Sequence, residues 1–154
     1  MFFILKKPVF YLVVLSLLIT FTSCSDDDPV SDQEEHFEAI GTVIYDATGA
    51  EVARILRGVT TDTLSAKVGI LSDHYRIKFI NDNEDIVDPP ANEESSMEVD
   101  ITDTALLETE TDEPGAFEFH LRGKAAGLTS IEIKILHNSH SDYRSGLIPV
   151  KIEN

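Results

Sequence analysis

The chain has no tryptophan, one cysteine and few bases: of its 154 residues 12 are Lys or Arg and 28 are Asp or Glu, a formal net charge of −16. Each shortage excludes something. A single cysteine cannot build an internal disulfide framework or a multi-cysteine zinc site. So acidic a chain lacks the basic face that a phosphate backbone requires, so no nucleic-acid partner is expected. Beyond residue 23 no long apolar run occurs, which excludes a multi-span helical membrane protein. Catalytic motifs are missing too. There is no Gly-x-Ser-x-Gly elbow, no phosphate-binding glycine loop, no Gly-x-Gly-x-x-Gly and no His-Glu-x-x-His. With this many acids a carboxylate pair for glycoside chemistry can be drawn almost anywhere, so drawing one carries no information. The expectation is a protein that is not an enzyme.

What is present falls into two unequal parts. Residues 1–23 carry Lys6 and Lys7 as their only charges, followed by the apolar stretch Val9–Phe21 and the small residues Thr22 and Ser23. That is the layout of a secretory signal, and the stretch is short for a spanning helix, which needs ~20 residues. The lone Cys24 stands where a lipoprotein signal places its lipidated residue, with Phe21 in the position usually held by Leu. Lipidation there would remove the only thiol and anchor the chain to a membrane. Ser25-Asp26-Asp27-Asp28 follows at once and resembles the acidic export signal of Bacteroidota surface lipoproteins. The resemblance implies an outer-membrane lipoprotein facing the cell exterior. Residues 24–35 then read as the lipidated Cys and a disordered acidic tether.

Without residues 1–23 the chain is 131 residues with 10 bases and 28 acids, a net −18. That is enough for one domain with one core, since domains typically run ~100–150 residues. Over 36–154 the pattern alternates with the period of half-buried strands. Phe37–Tyr45 and Glu51–Leu56 flank the turn signal Asp46-Ala47-Thr48-Gly49 and predict a hairpin. Further runs are Leu64–Val68, Tyr75–Phe79, Met97–Ile101, a weaker one at Ala105–Thr109, Phe117–Leu121, Ile131–Ile135 and Ile148–Ile152. The acidic stretch Asn81–Ser96, with Pro89-Pro90, predicts a loop. About nine short strands without an amphipathic helix predict an all-β sandwich.

The run Phe119–Ile133, FHLRGKAAGLTSIEI, resembles the end of a bacterial Ig-like domain of the invasin or intimin type. In that family a strand ends in Gly, a short turn carries Ala-Gly, and Thr opens the next strand. The resemblance covers roughly residues 60–153 and implies an Ig-like β-sandwich, here with an extra N-terminal hairpin. The Trp that many members carry on the third strand is absent. Gly123 and Gly127 suit a tight inter-sheet turn in which φ is free to be positive. The family implies a fold, not a chemistry.

Two candidate sites follow from the residues. Asn81-Asp82-Asn83-Glu84-Asp85 looks like a calcium loop, but Ile86 replaces the sixth-position Gly and Asn92 the bidentate Glu, so an EF-hand site is not expected. His137-Asn138-Ser139-His140-Ser141-Asp142 places two imidazoles and a carboxylate about one turn between strands. Neutral imidazole binds zinc or copper, and two on one hairpin can converge. Counting strand directions in an Ig-like order places the loop 81–96 and His36 at the same pole as this turn. The count needs the strand at 105–109; without it the parity inverts. The expected metal set is His36, His137 and His140 with Asp142, while Asp82, Asp85 and Asp88 are further carboxylates at that pole; zinc and copper both fit. His74, which opens a strand pointing away, and His120, opposite Phe117, Phe119 and Leu121, are expected to be solvent-facing. The function expected is a lipid-anchored surface protein that binds a divalent transition metal without catalysis. The alternative is an adhesion module contacting a protein or glycan.

Overall fold

The computed structural model describes residues 36–91 and 94–154. The signal, Cys24 and the tether, all within residues 1–35, lie outside the described residues. Among the described residues no helix is long and apolar enough to cross a membrane. The described residues form ten strands in order: β1 Gly41–Tyr45, β2 Glu51–Leu56, β3 Leu64–Lys67, β4 Tyr75–Ile80, β5 Ile86–Val87, β6 Ser95–Ile101, β7 Leu107–Glu110, β8 Glu118–Gly123, β9 Gly127–His137 and β10 His140–Glu153. They form two sheets. One has the order β2-β1-β4-β8-β7, with β5 also paired to β4; the other is β3-β10-β9-β6.

This is an all-β sandwich with Ig-like topology. With β5 set aside, β3 to β10 supply seven strands; β4, β8 and β7 form one sheet and β6, β9 and β10 the other, as in Ig domains. The first of the seven, β3, pairs parallel to β10 rather than beside β4. The β1–β2 hairpin fills the place beside β4 instead, with Gly41 opposite Ile80 and Tyr45 opposite Arg76. A chain segment that would otherwise be an extension thus covers a strand edge.

Alternation decides which side chains meet between the sheets. Thr42, Ile44, Ala53, Ile55, Ile77 and Phe79 come from one sheet, and Met97, Ile131, Ile133, Ile135, Tyr143, Ile148 and Val150 from the other, all buried. Phe79 lies at the centre, edge-on to Phe37, Phe117 and Tyr143 at ring-centroid distances of 4.9, 6.3 and 5.4 Å. The hydroxyls of Thr42 and Tyr143 meet at 2.6 Å inside this core. Burial pushes the Tyr143 phenol up to about 12, against the lowering effect of that bond.

The structure refines several expectations. The weak run at 105–109 is a strand, β7, shifted to Leu107–Glu110. The acidic loop contains β5, a two-residue strand on β4. Its backbone runs beside Phe79 and Ile80, where the edge of β4 is left uncovered by β8. Gly123 and Gly127 are not in the left-handed region, unlike five other glycines. Gly123 is required for space: a Cβ there would stand 2.4 Å from the Ile152 side chain and 2.9 Å from the Lys67 carbonyl.

Candidate metal centre

The β9–β10 hairpin turns on Asn138 and Ser139 alone, both left-handed at φ 48° and 70°. Two consecutive positive φ values make the turn whose twist matches paired strands, and Asn tolerates that conformation best among non-glycine residues. His137 and His140 are therefore directly opposed. The register then slips between Ser141 and Tyr143, so Asp142 is an extra residue with no partner on β9. Such a bulge breaks strict alternation. Asp142 and Tyr143 are consecutive, yet both side chains are buried, Asp142 to 3% exposure.

Opposite this bulge the chain enters β1. Phe37 packs on Phe79 and the Ile40 N–H donates to the Ile80 carbonyl at 2.8 Å, which fixes the segment carrying His36. His36 Nδ1 lies 2.9 Å from Asp142 Oδ1, and the Phe37 N–H donates to Asp142 Oδ2 at 3.0 Å. Burial raises the Asp142 carboxyl, but the Phe37 and His36 hydrogen bonds, helped by the charge of His36 and His137, outweigh it and hold the group below its ordinary range. His137, 7% exposed, has Nδ1 3.8 Å from Asp142 Oδ2. The His36 and His137 rings stand nearly perpendicular, at 84°, with centroids 6.4 Å apart.

The other nitrogen of His137 fixes its tautomer. Nε2 lies 3.0 Å from Glu94 Oε2 and 3.3 Å from Asn138 Nδ2. It cannot donate to one and accept from the other at once. The carboxylate is the stronger partner, because its bond is charge-assisted. The hydrogen bond to Glu94 thus places a proton on Nε2 and leaves Nδ1 facing Asp142. Glu94 is itself held below its ordinary range by its hydrogen bonds to His137 and Asn138. A carboxylate behind a histidine, orienting the ring for a cation on its far nitrogen, is the usual second layer of a zinc site.

Ligand atoms of His36, His137 and Asp142 all lie within 4.8 Å of one another. Tetrahedral zinc with bonds of ~2.0–2.1 Å needs them roughly 3.3 Å apart, a small adjustment from the separations found. The structure thus brings together three of the four expected residues. His140 is exposed at the hairpin tip and belongs to no such group. Facing His137 across the turn does not suffice: His137 is buried, whereas His140 is exposed. Asp82, Asp85 and Asp88 also stay outside; Asp88 pairs with Lys78 at 2.8 Å, and Asn81 Oδ1 accepts the Asn83 and Asp85 N–H groups to shape its own turn. Glu94 was not singled out from the sequence, being one of many acids in its loop.

His74 and His120 are not the solvent-facing residues expected. His120 is 7% exposed and His74 half-buried, and their rings lie 4.3 Å apart. The reason is register. Tyr75 pairs with Phe119, so one step further along the ladder sets His74 opposite His120. The chain at Ser72 runs along β8, exchanging hydrogen bonds with Leu121, and its carbonyl meets His120.

No family model and no curated protein matches the chain. Among solved structures it is similar to one titled "Crystal structure of the S-layer protein SbsC domains 4 and 5", at 16% identity and a TM-score of 0.41. The match covers 60% of this chain and 47% of that one, so the chain spans about half the length of the structure it matches.

Proposed function

We propose that this protein is a lipid-anchored, surface-exposed and non-catalytic β-sandwich that captures a divalent transition metal, zinc or copper. The reading rests on one observation: His36 and His137 flank the buried carboxylate of Asp142, with Glu94 behind His137. The ligands are His36, His137 and Asp142, and the fourth position is left to water or to a group from a partner. Metal capture requires neutral imidazoles, so protons compete for the site as the pH falls. His36 is 60% exposed, so the metal has direct access from solvent and an exit to a partner. The anchor is Cys24, at the end of the apolar leader, and the exterior location follows from the acidic run after it.

The test is zinc titration and elemental analysis of the full chain in mild detergent. The expected result is loss of this site's equivalent on His36→Ala or His137→Ala, with no change on His140→Ala. Wild-type affinity weaker than micromolar, or affinity unchanged by both substitutions, would leave the adhesion module as the better reading. For the anchor, Cys24→Ala should shift the protein from the membrane to the soluble fraction; continued membrane retention would refute it.

A further inference from the structure

A second cluster lies at the other end of β4. His74 directly precedes β4, whereas the first cluster faces the Ile80 end, about 20 Å away for a six-residue strand. No single ion can bridge the two. The second cluster consists of His74, His120 and Asp112, whose ligand atoms all lie within 4.8 Å of one another.

Here, as at the first pole, one buried histidine is held by an acceptor on the nitrogen away from the shared carboxylate. His120 Nδ1 is 2.7 Å from the Ser72 carbonyl, which can only accept, so Nδ1 carries a proton. Its Nε2 is buried and has no hydrogen-bond partner. Asp112 Oδ1 lies 3.4 Å from it, off the line of a hydrogen bond. His74 has Nε2 3.7 Å from Asp112 Oδ2 and Nδ1 3.6 Å from Glu118 Oε2. Nε2 of both rings lies beside the same carboxylate, and the buried Nδ1 of His74, like Nε2 of His120, has no hydrogen-bond partner.

The buried Nε2 of His120, beside a carboxylate but without a hydrogen-bond partner, calls for a cation or a second proton. Two explanations compete. If His120 were doubly protonated, Nε2–H would donate to Asp112, and the pair would close to about 2.7–2.9 Å. The separations of 3.4 and 3.7 Å are too long for that. They are close to the roughly 3.3 Å between ligands of one tetrahedral zinc. The carbonyl behind His120 is the kind of outer partner that orients a metal-bound histidine.

We infer that His74, His120 and Asp112 form a second binding site for a zinc-like divalent cation, separate from the one at His36. Nε2 of each histidine and one Asp112 oxygen supply three ligands, and a fourth position faces solvent beside the exposed Asp112. The ion would fasten the loop between β7 and β8, which carries Asp112, to the entry of β4. The site does not depend on the first.

The experiment is zinc titration of the full chain carrying His36→Ala and His137→Ala, with circular dichroism and urea unfolding to establish that it is folded. The expected result is one equivalent bound at micromolar affinity or better, weakened at least tenfold by adding Asp112→Asn or His74→Ala. Asp112 is exposed, so its substitution leaves the core intact. Should the double variant not fold, Asp112→Asn in the wild-type chain should lower the zinc content by one equivalent. In nitrogen-15 spectra, zinc should shift His120 Nε2 and leave its Nδ1 proton in place. Absence of zinc from the folded double variant overturns the inference, as does binding indifferent to both Asp112→Asn and His74→Ala. Failure of the first site alone would appear differently: one equivalent in the wild type, removed by Asp112→Asn and retained in the His36→Ala, His137→Ala chain.

Discussion

Removing the Tyr143 hydroxyl isolates a single polar contact between the two sheets. Tyr143→Phe keeps the ring against Phe79, at 5.4 Å and 85°, and deletes only the oxygen that meets Thr42 at 2.6 Å. Thr42 is fully buried, so its hydroxyl would lose its partner with no water to replace it. A typical intramolecular hydrogen bond contributes about 1 kcal/mol net, and an orphaned buried group costs about 1–3 kcal/mol. The expected loss is about 2 kcal/mol. Thr42→Val should cost about 1–2 kcal/mol for the converse reason, since the phenol is then left unpaired. The double variant replaces both partners by apolar groups of the same shape and should return to within about 0.5 kcal/mol of the wild type. Urea unfolding with unchanged m-values measures all three, and melting should follow at about 4 °C per kcal/mol for a domain of this size. If the double variant were as unstable as the two single losses added together, the bond would contribute nothing specific, and its place between the sheets would be incidental.

Three further outcomes are expected. Phe79→Ala empties the centre of the aromatic cluster and should cost about 3–5 kcal/mol in the same unfolding assay; a loss below about 1 kcal/mol would mean that the core collapses around the gap. Gly146→Ala should cost about 1–3 kcal/mol, because Gly146 is at φ 83° and a Cβ would stand 2.9 Å from the Gly58 backbone; a neutral effect would show that the β10 bulge relaxes freely. Glu94→Gln keeps an acceptor for His137 Nε2 but removes the charge that orients the ring. It should weaken zinc at the His36 pole roughly tenfold with little change in stability, and unchanged affinity would remove Glu94 from the site.

Much of the fold was legible because burial on one face writes itself into a period of two. Phe37–Tyr45, Tyr75–Phe79, Ile131–Ile135 and Ile148–Ile152 each show it, and each is a strand or the lead into one. The long arm of β10 before Ile148 was not legible. Its two register shifts break alternation at Asp142 and again between Arg144 and Leu147. The two-residue β5 is too short to show any period.

The sequence alone determined an acidic chain of alternating strands and a histidine-bearing hairpin between the last two. Strand parity then predicted that His36 and His137 share a pole, since direction follows from counting. Tertiary structure decided which side chains meet. A bulge turned Asp142 inward beside Tyr143, while His140 stayed exposed at the tip. Register across β4 and β8 paired His74 with His120, and a loop carried Asp112 over them. Direction is a property of connectivity and can be counted along a chain. Register and bulges depend on contacts between residues far apart in sequence, and only the folded core sets them.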